Sequence, residues 1–260
     1  MKKIIFLILT GIIAAGTIAA GGKSEAAASV LPAEVKAGIL KPGPDGIVKL
    51  PGGTFVLGPD SMPGVPGYNE IAPRVTLSPF KITTYLITQR EYQEVMGKNP
   101  SYVKGDMNTL PVDNVTWFDA IEFCNQLSRN KGLTPVYSIN GTEVSWNRSA
   151  NGYRLPTEAE WEYTATAGKM PFPEDNHPWG MRDMPSNMWE WCWDLYAVYS
   201  ADAQTDPAGS NTGRFGDNRV MRAGSFAMCT SRGEAVRLRS HSKPNSTSDT
   251  IGFRVVLSGI

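Results

Sequence analysis

The chain is poor in cysteine and histidine. Cys124, Cys192 and Cys229 stand far apart, and His177 and His241 are the two histidines. An odd number of cysteines cannot all pair, and no CxxC spacing marks a zinc site. Cys124 and Cys192 read as small buried hydrophobes, whereas Cys229 falls in a polar stretch near the C-terminus. No Ser-His-Asp arrangement can be assembled, since His177 sits in an HPWG loop and His241 in the tail. Gly52-Gly53 ends a strand-turn with no helix after it, which excludes a phosphate-binding loop. Glu158, Glu160 and Glu162 lie on one helix; a paired-carboxylate glycosidase would need facing residues elsewhere, and the sequence gives no reason to assign them. Net charge is absent too. Lys+Arg and Asp+Glu both number 25, so no field attracts nucleic acid. The one sustained apolar run, Ile4 to Ile13, is too short to span a bilayer well.

That run has a different use. Lys2 and Lys3 precede it and small residues follow, the pattern of an export signal over residues 1–20. Its end, Ile18-Ala19-Ala20-Gly21, is lipobox-like, with Gly21 standing where the lipidated cysteine would be. The expectation is an exported protein at a bacterial cell surface or outer membrane. It is membrane-held through a lipid anchor if position 21 is Cys in the natural protein. Cleavage at an A-x-A-like site, giving a soluble secreted protein, is the alternative. Residues 21–45 have no aromatics and read as a linker, so the folded domain is expected over 46–260.

Gly and Pro are abundant, 26 and 19, and short strand patterns alternate with turns. Thr88 caps a helix over Gln89–Met96 that Gly97 ends. Trp117–Arg129 carries Phe118, Ile121, Phe123, Cys124 and Leu127 at roughly helical spacing. Asn140-Gly141 between Pro135–Ile139 and Glu143–Trp146 is a hairpin signal. Thr157 with Glu160 makes a capping box. Near the C-terminus, strands are expected at Arg219–Met221 and Gly252–Leu257, with a long polar segment between. So long a polar segment anchored by strands points to a contact surface.

GGTFVLG, PVDNVTWFDAIEFC, YRLPTEAEWEY, HPWG, NMWEWCWD and AGSF…IGFRV together resemble the formylglycine-generating (sulfatase-modifying) enzyme family over roughly residues 47–257. The resemblance implies an α+β, C-type-lectin-like fold, rich in loops with few helices and short strands. In the family, two cysteines spaced C-x4-C bind copper and activate oxygen. Here Cys229 holds the first place but Glu234 the second. A hard carboxylate disfavours Cu(I), so no copper and no catalysis are expected. The stretch Asp183–Trp191 is similar to the family's calcium loop. Carried over, the resemblance implies Ca²⁺ at Asp183, Ser186, Met188 and Glu190. The family's second calcium site has no match.

A class with this fold, the variable proteins of diversity-generating retroelements, places its changing positions in the C-terminal segment. Its framework is retained here in Arg222, Gly224, Ser225 and Phe226 and in Gly252-Phe253-Arg254. Between them Ala227, Cys229, Arg232, Leu238, Ser240, His241 and Ser242 are of types that adenine-directed mutagenesis reaches; Met228, Glu234 and Lys243 are not and read as scaffold. These seven are expected to be exposed on one face, with Phe226, Ile251 and Phe253 pointing inward. Trp161, Trp189 and Trp191 are expected in the core. The reading is a non-catalytic, surface-displayed protein binding a protein or other macromolecular ligand through a variable tail, 220–257, and no nucleic acid. A formylglycine-generating oxidase of sulfatases is the runner-up, and a structural surface protein of the same fold the third reading.

Overall fold

A computed structural model describes residues 43, 45–58, 71–168, 177–184, 188–223 and 236–258. The expected signal, the linker up to residue 42, and the middle of the tail lie outside them. Among the described residues there are three helices, α1 (Gln89–Met96), α2 (Trp117–Asn130) and α3 (Glu158–Ala165). Each opens on a reciprocal capping box, Thr88 with Glu91, Thr116 with Asp119 and Thr157 with Glu160, which satisfies backbone N–H groups that have no intrahelical partner. Helix α1 stops where Gly97 takes up a left-handed conformation, φ 72°.

The strands are short and form three sheets and a hairpin. The first sheet orders β1 (Ile47–Leu50), β4 (Phe80–Thr83), β13 (Val256–Leu257) and β7 (Tyr153–Arg154). The second orders β11 (Arg239–Ser242), β10 (Arg219–Ala223), β8 (Trp189–Leu195) and β12 (Ile251–Gly252). The third pairs β2 (Gly53–Val56), β3 (Arg74–Leu77) and β9 (Gln204–Thr205). Strands β5 (Tyr137–Asn140) and β6 (Glu143–Trp146) make the hairpin expected around Asn140-Gly141.

The stretch Gly252–Leu257, expected as one strand, is two. Strand β12 runs parallel to β8 in the second sheet, whereas β13 lies antiparallel between β4 and β7 in the first. Phe253, Arg254 and Val255 between them are all buried, so there is no alternation of inner and outer faces to sustain one strand. Arg254 turns inward to an acid, and the chain changes sheet there.

Aromatic packing fills the interior. Tyr92 stacks on Phe123 at 5.5 Å, and Phe253 meets Phe123 edge-on at 5.2 Å. Trp161 and Trp191 are fully buried, and Phe253 and Ile251 point inward. Trp189 is half-buried against the same cluster. Cys124 and Cys192 are free, buried thiols whose pKa burial pushes up, so they pack as hydrophobes. His177 packs as a structural neutral ring. It meets the Ala165 carbonyl at Nε2 and accepts from Trp179 N at Nδ1, and burial lowers its pKa to about 4.

Candidate functional site

Helix α3 is buried on every side although three of its residues are glutamates. Burying a charge is tolerated only where a partner and hydrogen bonds replace water, and each glutamate finds a guanidinium. Glu160 takes a two-pronged grip from Arg154, 2.6 Å on both sides, and also accepts from Thr157 N. Glu162 accepts from Arg222 Nη2 at 2.7 Å and from Gly58 N. Glu158 accepts from Arg222 Nη1 at 3.0 Å, from Arg239 Nη2 at 2.8 Å and Nε, and from the Tyr199 hydroxyl at 2.8 Å. Burial alone would raise the Glu158 pKa, but the Arg239 and Arg222 charges outweigh it and the net shift is downward.

These pairs have a consequence for the tail. Arg222 lies near the end of β10, just before the tail departs, and Arg239 opens β11, where the tail returns. One carboxylate, Glu158, therefore holds both ends. Arg222 adds hydrogen bonds to the carbonyls of Val236 at 2.8 Å and Leu238 at 3.2 Å, so the incoming strand is pinned to the outgoing one. The chain leaves through Ala223 at φ 69°, a left-handed conformation uncommon for a residue with a Cβ. Another pair involves the end of the tail. Arg254 grips Glu190 through Nε at 2.5 Å and Nη2 at 2.7 Å, and Trp161 Nε1 donates to the same carboxylate at 2.9 Å.

Of the seven expected contact residues, Ala227, Cys229 and Arg232 lie outside the described residues, as do Met228, Glu234 and Phe226. Leu238 is a correction. Expected to be exposed, it is 9 % exposed, drawn in by the hydrogen bond its carbonyl accepts from Arg222 Nε and flanked by buried Val236 and Arg239. Ser240, His241 and Ser242 are half-buried on β11, facing Met221, Val220 and Arg219 across the ladder. Strand alternation puts the two serines on one face and His241 on the other, against the expectation of a single face. His241 stacks between Tyr196 at 4.4 Å and Phe215 at 4.6 Å, and its Nδ1 meets Asn218 at 2.8 Å. Phe215 itself is exposed.

The calcium residues divide. Asp183 is exposed at φ 60°, Met188 is half-buried, and Ser186 lies outside the described residues. Glu190 does not fit the role of calcium ligand. It is fully buried, both its oxygens accept from Arg254, and a guanidinium in contact with the carboxylate opposes a second cation. Among the described residues no three His, Cys, Asp or Glu side chains converge as metal ligands.

The Glu–Arg bracket was missed in the sequence. Its signal was there: three glutamates in LPTEAEWEY and arginines at framework positions, an acid set and a base set that were not set against each other.

A family model described as "Sulfatase-modifying factor enzyme 1-like domain" matches residues 36–179 and 171–258. Among curated proteins, the chain is 35 % identical over 191 residues to the "Chaperone protein LppX" of Paenibacillus barcinonensis. That match covers 64 % of this chain and 64 % of the relative, just under two thirds of its length. It is 27 % identical to the mouse "Inactive C-alpha-formylglycine-generating enzyme 2", covering 82 % of this chain and 85 % of that one. Proteins named as formylglycine-generating enzymes match as well, at 25–32 % identity. Among solved structures, Treponema denticola variable protein 1 superposes with a TM-score of 0.65 at 26 % identity, over 80 % of this chain and 95 % of that one. The fold is the α+β, C-type-lectin-like one that the sequence motifs imply.

Proposed function

The chain belongs to the sulfatase-modifying factor enzyme 1-like domain family, and on that premise we propose that it is a non-catalytic, ligand-binding member whose tail, 220–257, is a sequence-diversified contact surface. The observation that carries this reading is the bracket. Glu158, outside the tail, grips Arg222 and Arg239 within it, so both ends of the stretch between those two arginines are fixed by one buried carboxylate. A segment held that way can change sequence without the scaffold's consent, which is how rigid folds present variable loops. The likeness to a variable protein at 26 % identity supports the same reading. Contacts are assigned to Ala227, Cys229 and Arg232, with Ser240 and Ser242 at the edge; His241 contributes through the Tyr196–Phe215 stack on the other face. Export through residues 1–20, display at a bacterial surface and a protein or other macromolecular partner belong to this reading, as does a lipid anchor if position 21 is natively Cys. Calcium, if held at the 183–190 loop, draws on Asp183, Ser186 and the Met188 carbonyl rather than Glu190.

Against oxidase activity stands Glu234 in the place of the second cysteine. One thiolate and a carboxylate make a poor Cu(I) site. A second reading has its own support, the 35 % identity to a protein named a chaperone: an accessory protein that binds one fixed exported partner. Two observations separate the readings. Diversification requires a neighbouring reverse-transcriptase gene and an imperfect repeat of the tail's coding sequence, and without them the accessory reading takes over. Incubation with a CxPxR peptide, Cu(I) and oxygen is expected to form no aldehyde; aldehyde formation refutes the non-catalytic assignment.

A further inference from the structure

Beside the bracket lies a cavity of about 400 Å³ that, among the described tail positions assigned to ligand contact, Ser240, His241 and Ser242 do not line. Among the described residues its charged wall is Glu158, Asp194, Asp202 and Arg239, three acids against one base; Tyr199, Ser200, Gln204 and Ser210 add neutral polar groups, and its apolar wall includes Leu57, Val198 and Pro207. Glu158 is neutralised by its two arginines. Asp194, on β8, is different. It is 5 % exposed, its Oδ2 accepts from Glu158 N at 2.8 Å, and no hydrogen bond reaches its Oδ1 among the described residues. Gly209 closes over it at φ 79°, where a Cβ would come within 3.0 Å of both Asp194 Cβ and Oδ1, so the loop is fitted to this carboxylate.

We propose that this cavity is a binding site for a primary alkylammonium group of the lysine type, with Asp194 Oδ1 taking the ammonium and the Leu57, Val198 and Pro207 wall taking the methylene stem. The choice of cation follows from the geometry. A guanidinium binds a carboxylate best through both oxygens, and one Asp194 oxygen is already spent on the α3 amide. A compact ammonium needs only the single oxygen left without a hydrogen bond among the described residues. The excess of acid in the wall favours a cation over an anion or a neutral ligand.

The groups facing Asp194 set its titration. Glu158 and Glu160 on α3 raise its pKa, Arg239 on β11 lowers it, and Arg219 on β10, Cys192 on β8 and Asp202 and Tyr199 beyond β8 stand around it. Burial is the largest influence, and the carboxyl is pushed up to about 7. An ammonium bound there favours the ionised form, so binding releases a proton and strengthens as pH rises through that value.

The test uses the exported, mature protein and calorimetric titration with Nα-acetyl-lysine methylamide, n-butylamine, and the arginine and norleucine analogues of the first. Saturable binding of the lysine probe is expected at about pH 8, weaker by about tenfold at about pH 6, with no binding of the norleucine analogue. Tighter binding of the blocked lysine than of butylamine identifies a lysine side chain of a polypeptide as the ligand, and equal binding identifies a free amine. Asp194→Asn keeps an acceptor for Glu158 N and is expected to abolish binding while the protein stays folded by circular dichroism. Ala197→Trp, filling the mouth, gives the same loss if the first variant fails to fold. Absence of lysine-probe binding to the wild type, equal binding of the norleucine analogue, or binding retained in both variants overturns the proposal. Exchanging Ala227, Cys229 and Arg232 is expected to leave the titration unchanged, which separates this site from the tail.

Discussion

Glu158 and Asp194 are acids in one buried patch, joined by a hydrogen bond from the backbone of one to the side chain of the other. Glu158 has two guanidinium partners and a tyrosine hydroxyl, and its pKa lies below the ordinary range. Asp194 has one backbone amide, and its pKa is pushed up to about 7 by burial and by Glu158. Solvent exclusion is the same for both, so the difference is in the partners. An acid that the fold has paired holds elements together. An acid that the fold has buried and left half-paired costs stability and is where a ligand gains most.

The largest expected effect comes from breaking the paired acid. Glu158→Ala leaves Arg222 and Arg239 buried without their common partner, and urea denaturation is expected to show a loss of about 3–5 kcal/mol or no folded state. Truncating the core beside it, Trp161→Ala, removes a fully buried indole and its bond to Glu190 and is expected to cost about 3–5 kcal/mol as well. If either variant is near wild-type, the bracket or the core has been misplaced.

The half-paired acid gives the opposite sign. With the Asp194 pKa raised in the folded state, the folded protein holds a proton that the unfolded chain gives up, so this residue lowers stability as pH rises from about 4 towards about 7. Asp194→Asn is therefore expected to raise stability at about pH 8, by on the order of 1–3 kcal/mol, and to match wild type at about pH 4. His177, with its pKa lowered to about 4, acts oppositely below about pH 6.5, so the comparison is made as the difference between variant and wild type at each pH. Glu158 supplies stability that is lost as pH falls through its own lowered pKa, below the unfolded value. A variant difference that is flat with pH means that Asp194 is not the titrating group.

The smallest effects belong to the half-buried strand face. Ser240→Asn and Ser242→Asn are each expected to stay within about 0.5 kcal/mol. EDTA is expected to leave the melting temperature unchanged, because Glu190 is held by Arg254. A fall on chelation that calcium reverses would mean that the 183–190 loop holds an ion.

Local signals carried much of the fold. The caps at Thr88 and Thr157 and the Asn140-Gly141 hairpin were legible because a few adjacent side chains decide them. The break at Phe253-Arg254-Val255 was not, because Val255-Val256 looks like the middle of a strand until Glu190, far away in the chain, draws Arg254 inward. Leu238 was misplaced for the same reason: its burial is set by Arg222 and not by its neighbours' polarity. Glu158 and Asp194 are far apart in sequence, and nothing in either neighbourhood marks one as paired and the other as spare.

The measurement that bears most directly on the tail is a thermal unfolding series. Ala227, Cys229 and Arg232 are replaced together by several combinations of Ser, Asn, Tyr and Arg, once in the wild-type background and once with Glu158→Gln. With the bracket intact, every combination is expected to melt within about 4 °C of wild type. In the Glu158→Gln background the same combinations are expected to spread widely, because the segment's ends are no longer held. Combinations that unfold the bracketed protein would contradict the account, since the tail's own residues would then be part of the scaffold.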